Sequence, residues 1–190
     1  MRTPGHAVIN VALVAHERPA IVAAVVAGAV LPDLPIVALY LLERARGTPV
    51  AEIWRDRYRR RVWLDTIHGF HSVPIAAAGA AVACALGCWP AAAFFASALG
   101  HDALDVPVHG RDAHRHLFPL SGVTFESPLS YWDVTRHARP VTAFEWLLVG
   151  VATAWLAPVA SPLALAVLAL VHAYYAASFT RLFVAPEPAT

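Results

Sequence analysis

The stretch WPAAAFFASALGHDALDVPVH, residues 89–109, begins as a greasy helix and ends in groups that bind metals and protons. Trp89-Pro90 suits a helix start, because proline is tolerated in the first turn and disruptive further in. The uncharged part from Ala91 is only ten residues long. A helix here reaches about 27 Å, enough to cross a bilayer, only if it runs on to about Val108. His101, Asp102 and Asp105 then fall in the last turns of a membrane helix. Pro107 ends it and frees His109 to turn back.

The rest of the chain has the same character. Hydrophobic residues make up 58% of the 190, charged ones 14%, and mean hydropathy is +0.56. Soluble domains run near about 45–50% and roughly 25%. The apolar excess fits a membrane better than a larger core, and a single helical membrane domain over 1–190 is expected. All the basic residues are arginine and net charge is +1, so bulk charge gives no reason to expect nucleic acid as a partner. Cys84 and Cys88 share an apolar run at i, i+4 and read as small packing residues, not a disulfide framework. The apolar run Ala7–Ala15 meets His16-Glu17-Arg18-Pro19 where a signal peptide would have small residues, and is read as retained.

Residues 3–16 predict a short N-terminal helix, started by a Thr3 cap and Pro4 and too short to cross a bilayer. Residues 20–42 are long enough, but Pro32-Asp33-Leu34-Pro35 must break or kink them. Broken backbone at membrane depth survives only inside protein or against a polar cavity. Residues 43–65 form a polar loop. Within it IWRDRYRRRVW sets Trp54, Tyr58 and Val62 at i+4 spacing among arginines, the pattern of an interfacial amphipathic helix or of a plain basic loop.

From Thr66 to Gly100 no Asp, Glu, Lys or Arg occurs. Trp89-Pro90 divides this run into a helix at 67–88 and the 91–108 helix. Residues 109–140 form a second polar loop without helical period. Helices at 142–157 and 163–184 follow, with a short tail beyond. The expectation is an all-α, polytopic membrane protein: about four spanning helices, a short N-terminal helix and an interfacial one. Arginines 44, 46, 55, 57, 59, 60 and 61 lie in the first polar loop; 111, 115, 136 and 139 lie in the second. The turns at 89–90 and 158–162 have none. The positive-inside rule then places both loops and the C-terminus in the cytoplasm.

This topology brings ligand-type residues from four segments to one membrane face. Asp33 is the sharpest of them, since a carboxylate at helix centre costs about 2.5–3.5 kcal/mol to insert. It is either a metal ligand or general base, or else a cap at the helix break or a residue in the headgroup zone. His101 and Asp105, at i, i+4, share a helix face and suit zinc or manganese; the alternative is a simple ion pair. Asp102 points about 100° away. His71 opens the 67–88 helix on the same side, with His68 one turn before it and Asp65 placed to orient either ring. His109, His114 and His116 lie in the following loop. His6 and Asn10 share a face of an otherwise apolar helix. His172, mid-span beside Tyr174 and Tyr175, reads as a packed, hydrogen-bonded residue, and His16 and His137 as surface residues.

The motifs AGAVLPDLP, DTIHGFHS, HDALDVPVH and the early Gly5-His6, in this order, resemble the bacterial membrane-bound, metal-dependent hydrolase-like family, also described as LexA-binding, inner-membrane-associated hydrolases. DAHRHLFPLSGVTFESPLSYWD looks like a subgroup of it. The resemblance covers most of residues 1–139. A remoter likeness is to zinc-dependent phospholipase C and a related nuclease. These are all-helical enzymes that use an early His, a Pro-Asp after a helix and a His-x-x-x-Asp helix. By this likeness His6, Asp33, His71, His101 and Asp105 are the core ligands, and His109, His114 or His116 complete the shell. No counterpart of the later His-x-x-x-Glu zinc pair occurs, which argues against a full three-metal site.

The expectation is therefore a metal-dependent hydrolase of the inner (cytoplasmic) membrane. A divalent ion, zinc or else manganese, would sit among His6, Asp33, His71, His101, Asp105, His109 and His114. Such an ion lowers the pKa of water to about 7. Asp33 or Asp102 would take the proton, and Arg111 and Arg115 would hold a phosphate. The partners expected are the lipid bilayer and a lipid or lipid-linked phosphoester. The alternatives are a metal or ion transporter, since broken helices with intramembrane Asp mark ion paths, and a non-catalytic metal-binding scaffold.

Overall fold

The computed structural model describes residues 1–184; the expected C-terminal tail lies outside them. The described residues are helical without strands, as nine α-helical segments joined by short 3-10 turns and one long irregular loop. They are α1 (Thr3–Val14), α2 (Pro19–Val30), α3 (Leu34–Ala45), α4 (Val50–Glu52), α5 (Arg61–Phe70), α6 (Val73–Ala85), α7 (Trp89–Asp105), α8 (Ala138–Leu156) and α9 (Pro162–Val184). α7 is the central element, packed along α2 on one side and α6 on the other, with α1 crossing α2, α7 and α8.

Each break follows from local chemistry. Pro32 and Pro35 tighten the chain into a 3-10 turn at Leu31–Asp33, after which α3 resumes in nearly the same direction, so that Pro19–Ala45 reads as one interrupted span. Pro74 and the Ser72 cap break the expected 67–88 helix. Ser72 Oγ accepts from the Ile75 amide, and α5 meets α6 at a 41° bend with His71 at the corner. His71 therefore closes α5 and does not open a helix, as the sequence had suggested.

Gly87, at φ 66°, ends α6 with a left-handed turn that only glycine adopts freely. Cys88 is thereby carried off the helix of Cys84, and both thiols are free and exposed where packing residues were expected. Thr3 does not cap α1, whose start has no side-chain cap. The expected continuous helix through Trp54, Tyr58 and Val62 is also corrected: a π turn at Ile53–Arg57 and an extended Arg60 interrupt it. Trp54 stacks on Tyr40 and keeps a tilted contact with Tyr58.

Three helices are long and apolar enough to cross a membrane: Pro19–Ala45, Ala138–Val159 and Pro162–Phe183, or four if the bent pair α5–α6 counts as one. α7 itself has seventeen residues, its last turns carry His101, Asp102 and Asp105, and a 3-10 turn at Val106–Val108 carries the helical run on to the expected end. His172 is satisfied as read: it accepts from Trp146 Nε1 at 2.9 Å, which leaves Nε2 protonated to donate to Thr153 Oγ1 at 3.0 Å.

The α2–α7 contact holds the centre together. A Cβ added at Gly28 would stand 2.1 Å from the Phe94 carbonyl oxygen, so only glycine lets the backbones approach this closely. Beside it Ser97 donates to Val25 O and accepts from Asn10, tying α1, α2 and α7 together through buried hydrogen bonds. Gly150 has nothing within 4 Å of such a Cβ. Gly28→Ala should lower the unfolding temperature in detergent, at a cost of about 1–3 kcal/mol for overpacking, while Gly150→Ala should leave it unchanged or raised. Equal melting of the two variants would count against this packing.

Candidate metal centre

Helix α7 delivers His101 and Asp105 from its last turn, facing α1, the break after α2 and the α5–α6 corner. Asp105 is 1% exposed and is the hub of the cluster. Its Oδ1 lies 2.9 Å from His6 Nε2, 3.2 Å from His109 Nε2 and 2.5 Å from the Met1 amino group. Its Oδ2 lies 3.1 Å from His101 Nε2 and 3.9 Å from His71 Nε2. Asp33 joins from the 3-10 turn, with Oδ1 at 3.7 Å from His71 Nε2 and 3.8 Å from His101 Nε2. It makes no capping bond; its Oδ2 accepts from the Thr3 hydroxyl, so the helix-break cap reading is excluded. His114 completes the group, stacked on His71 at 3.9 Å as His6 is stacked on His101 at 3.7 Å.

Second partners fix the rings. His101 Nδ1 approaches Ala29 O at 2.7 Å and His71 Nδ1 approaches Ile67 O at 2.9 Å. A carbonyl can only accept, so both Nδ1 atoms carry a proton, and in the neutral ring that leaves the Nε2 lone pair for a ligand. This is the support usual for a metal-ligating histidine. Ile67 O also accepts from the His71 amide at 3.0 Å, so one carbonyl at the end of α5 holds both the backbone and the ring of His71.

The donor atoms are unpaired. Both ring nitrogens of His6 and His114, and Nε2 of His71 and His101, are buried without a hydrogen-bond partner. His6 and His101 come within 3.1 Å of Asp105 but lie off the axis along which an N–H would point. The His101–Asp105 pair therefore stands at ion-pair distance without an aligned hydrogen bond. Leaving six such nitrogens unsatisfied costs roughly 1–3 kcal/mol each, a sum as large as the whole stability of a typical domain, about 5–15 kcal/mol.

The Met1 ammonium and His109 already face Asp105; a divalent cation would in addition satisfy the unpaired nitrogens and Asp33. Ligand atoms around a tetrahedral zinc stand about 3.3 Å apart, which the 2.9–3.9 Å separations here bracket. Three donor groups fit an ion: His6, His101 and Asp105; Asp33, His71 and His101; and His71, Asp105 and His114. Sharing of His71, His101 and Asp105 between groups makes room for one or two ions.

The remaining expected residues take other places. His109 lies beside Asp105 but outside the three donor groups, with Nδ1 donating to Asp112 Oδ2 at 3.0 Å. Burial pulls its pKa down, yet the charges and hydrogen bonds of Asp105 and Asp112 prevail and hold it at about 9. His114 goes the other way: burial, then the neighbouring His71 and His109, hold it well below its ordinary value.

Asp102 is enclosed and faces His116 Nδ1 at 3.6 Å, away from the donor groups. His68 accepts from the Arg115 amide at Nδ1, which places its proton on Nε2 and leaves it no free lone pair to offer. Asp65 pairs with Arg61 and orients neither histidine. Arg111 is exposed, its charge acting on Asp133, while Arg115 is half-buried with its charge acting on His68.

Several contributors escaped the sequence reading. Asp112 also accepts from Trp132 Nε1 at 2.8 Å; its i, i+3 spacing from His109 was the available signal. Tyr131 and Tyr58 carry no such signal. Burial, followed by the charges of nearby carboxylates, Asp112 and Asp33 among them, raises both phenols; Tyr58 is pushed up to about 12. No family model, curated protein or solved structure matches this chain, so its chemistry is read from the site itself.

The His109 pair has a pH signature in chelator-treated protein. Its pKa of about 9 lies above the ordinary 6.5, so its stabilisation is complete below pH 6.5 and lost as pH rises through 9. His114, held neutral, is indifferent over that window. The unfolding temperature of the chelator-treated wild type should fall between pH 6.5 and 9 by more than that of His109→Asn. Equal slopes would remove the His109 assignment.

Proposed function

We propose that the chain is a membrane-embedded, metal-dependent hydrolase of the inner membrane, acting on the phosphoester of a lipid or lipid-linked molecule. One observation carries this reading. Buried, unpaired imidazole nitrogens from separate segments surround two enclosed carboxylates. The helices long and apolar enough to cross a membrane support a polytopic arrangement. The arginine-rich loops at 43–65 and 109–140 support a site that faces the cytoplasm. The motif resemblance to the membrane-bound metal-dependent hydrolase-like family points the same way.

His6, His71, His101 and His114, with Asp33 and Asp105, would hold the ion, and the imidazole-rich set suits zinc, with manganese second. A divalent ion there lowers the pKa of water and polarises a phosphoryl oxygen. The side chains do the rest. Asp105 is fully enclosed and serves to fix the donors. Asp33 is 18% exposed, so it is the carboxylate that an incoming water can reach and hand a proton to. Asp102 steadies the wall through His116. Tyr58 and Tyr131 stay protonated at neutral pH and act as donors toward phosphoryl oxygens, with Arg115 at the rim supplying positive charge.

Metal analysis of detergent-purified protein tests the centre. Wild type should carry zinc or manganese in stoichiometric amount, and His101→Ala and Asp105→Ala should lose most of it; equal content in all three removes the site. With the centre established, a screen of phosphoesters and phospholipids should find turnover that falls about 100-fold or more in Asp33→Asn. Metal flux into proteoliposomes without any turnover would favour a carrier instead.

A further inference from the structure

The loop from Leu117 to Phe125 has no place in the chemistry above, yet both its ends are built into the wall of the site. At its start, His116 O accepts from the Val73 amide at 2.9 Å, and Phe118 O accepts from the Ser72 hydroxyl. At its return, the Ser127 amide donates to His109 O at 2.9 Å and the Ser127 hydroxyl to Pro107 O at 2.6 Å. Between these clamps the nine residues LFPLSGVTF carry no charge, and Glu126 follows them just before Ser127. It exposes large apolar side chains: Leu120 at 80%, Val123 at 69% and Phe125 at 60%. Side chains this apolar, held out by a loop with two fixed ends, need an apolar neighbour.

The level of the loop identifies that neighbour. The seventeen residues of α7 rise about 25 Å from the Gly87–Trp89 turn to Asp105, and a bilayer's hydrocarbon is about 30 Å thick. With that turn at one surface, the cluster and the loop beside it lie just inside the other. Apolar exposure also continues beyond the cluster on α3, at Leu34, Val37 and Leu41. Arg111 and Arg115 precede the loop in sequence, cations suited to anionic headgroups, while Glu126 after it is paired with Arg136 at 3.8 Å.

We infer that residues 117–125 form a lipid-inserted loop, seated at the headgroup boundary beside the metal centre. The mouth of the site then opens onto the bilayer interface, and its substrate class is a membrane amphiphile whose polar head enters while its chains stay in lipid. This rests on the membrane reading above but not on hydrolytic activity.

The test places one cysteine at Val123, and a control at exposed Thr135, in a Cys84→Ser, Cys88→Ser background. Each is labelled with an environment-sensitive fluorophore in vesicles of phosphatidylcholine and phosphatidylglycerol. The Val123 probe should emit to the blue, be quenched by nitroxide lipids and resist iodide; the Thr135 probe should do the reverse. Quenching of the Val123 probe by iodide to the same extent as Thr135, or shielding that appears only as protein concentration rises, overturns the inference, the second outcome pointing to another copy of the chain. Photolabelling of unmodified protein from diazirine phospholipids checks it without substitution: labels within 117–125 support insertion, and labels confined to the long helices refute it. Metal content is measured in the same samples. Its loss from wild type would defeat the hydrolase reading while leaving the loop result standing.

Discussion

One buried carboxylate organises this molecule. Asp105 is enclosed at the end of the central helix, where an uncompensated negative charge would be intolerable. Every element around it answers that charge. α1 supplies His6, the same helix supplies His101 one turn back, the α5–α6 corner supplies His71, and the turn beyond α7 supplies His109. Burial would push the carboxyl toward protonation, but the surrounding nitrogens favour the charged form, and a cation in their midst would do so more strongly.

The irregular backbone is what makes the cluster possible. The proline-driven turn at 31–33 and the Ser72–Pro74 bend interrupt two helices. Beside these breaks Ala29 O holds the His101 ring, and Ile67 O, which also accepts the His71 amide, holds the His71 ring. Breaks of this kind at membrane depth survive only when protein or a polar cavity surrounds them. The break and the ligand set therefore explain each other: the turns place Asp33 and His71 beside α7, and the buried polar centre tolerates the broken ladder.

Much of this was legible in the sequence because it rests on short-range rules. Proline positions marked the breaks, the i, i+4 spacing put His101 and Asp105 on one face, and apolar runs marked the long helices. The donor set Asp33, His71, His101, Asp105, His6 and His114 was named from its residue types and a motif resemblance, and the fold brings these side chains together. What escaped was set by tertiary contact. Nothing local says that Thr3 will reach Asp33 rather than cap its helix, or that Asp65 will choose Arg61 over a histidine. The π turn at Ile53–Arg57 likewise overrode a clean i+4 pattern in a segment with few buried partners.

Stability alone does not account for such a centre. Replacing a buried charged cluster by well-packed apolar groups of similar volume is often neutral or stabilising, and the surrounding helices, rich in alanine, would accept such a core. Asp33 makes the point most directly. It stands at the start of α3 in a helical backbone conformation, with Pro35 in the first turn, so no side-chain cap forms there. Its Oδ1 lies instead 3.7 Å from His71 Nε2 and 3.8 Å from His101 Nε2. A carboxylate held beside two imidazoles in a largely enclosed space completes a donor set that suits a shared cation.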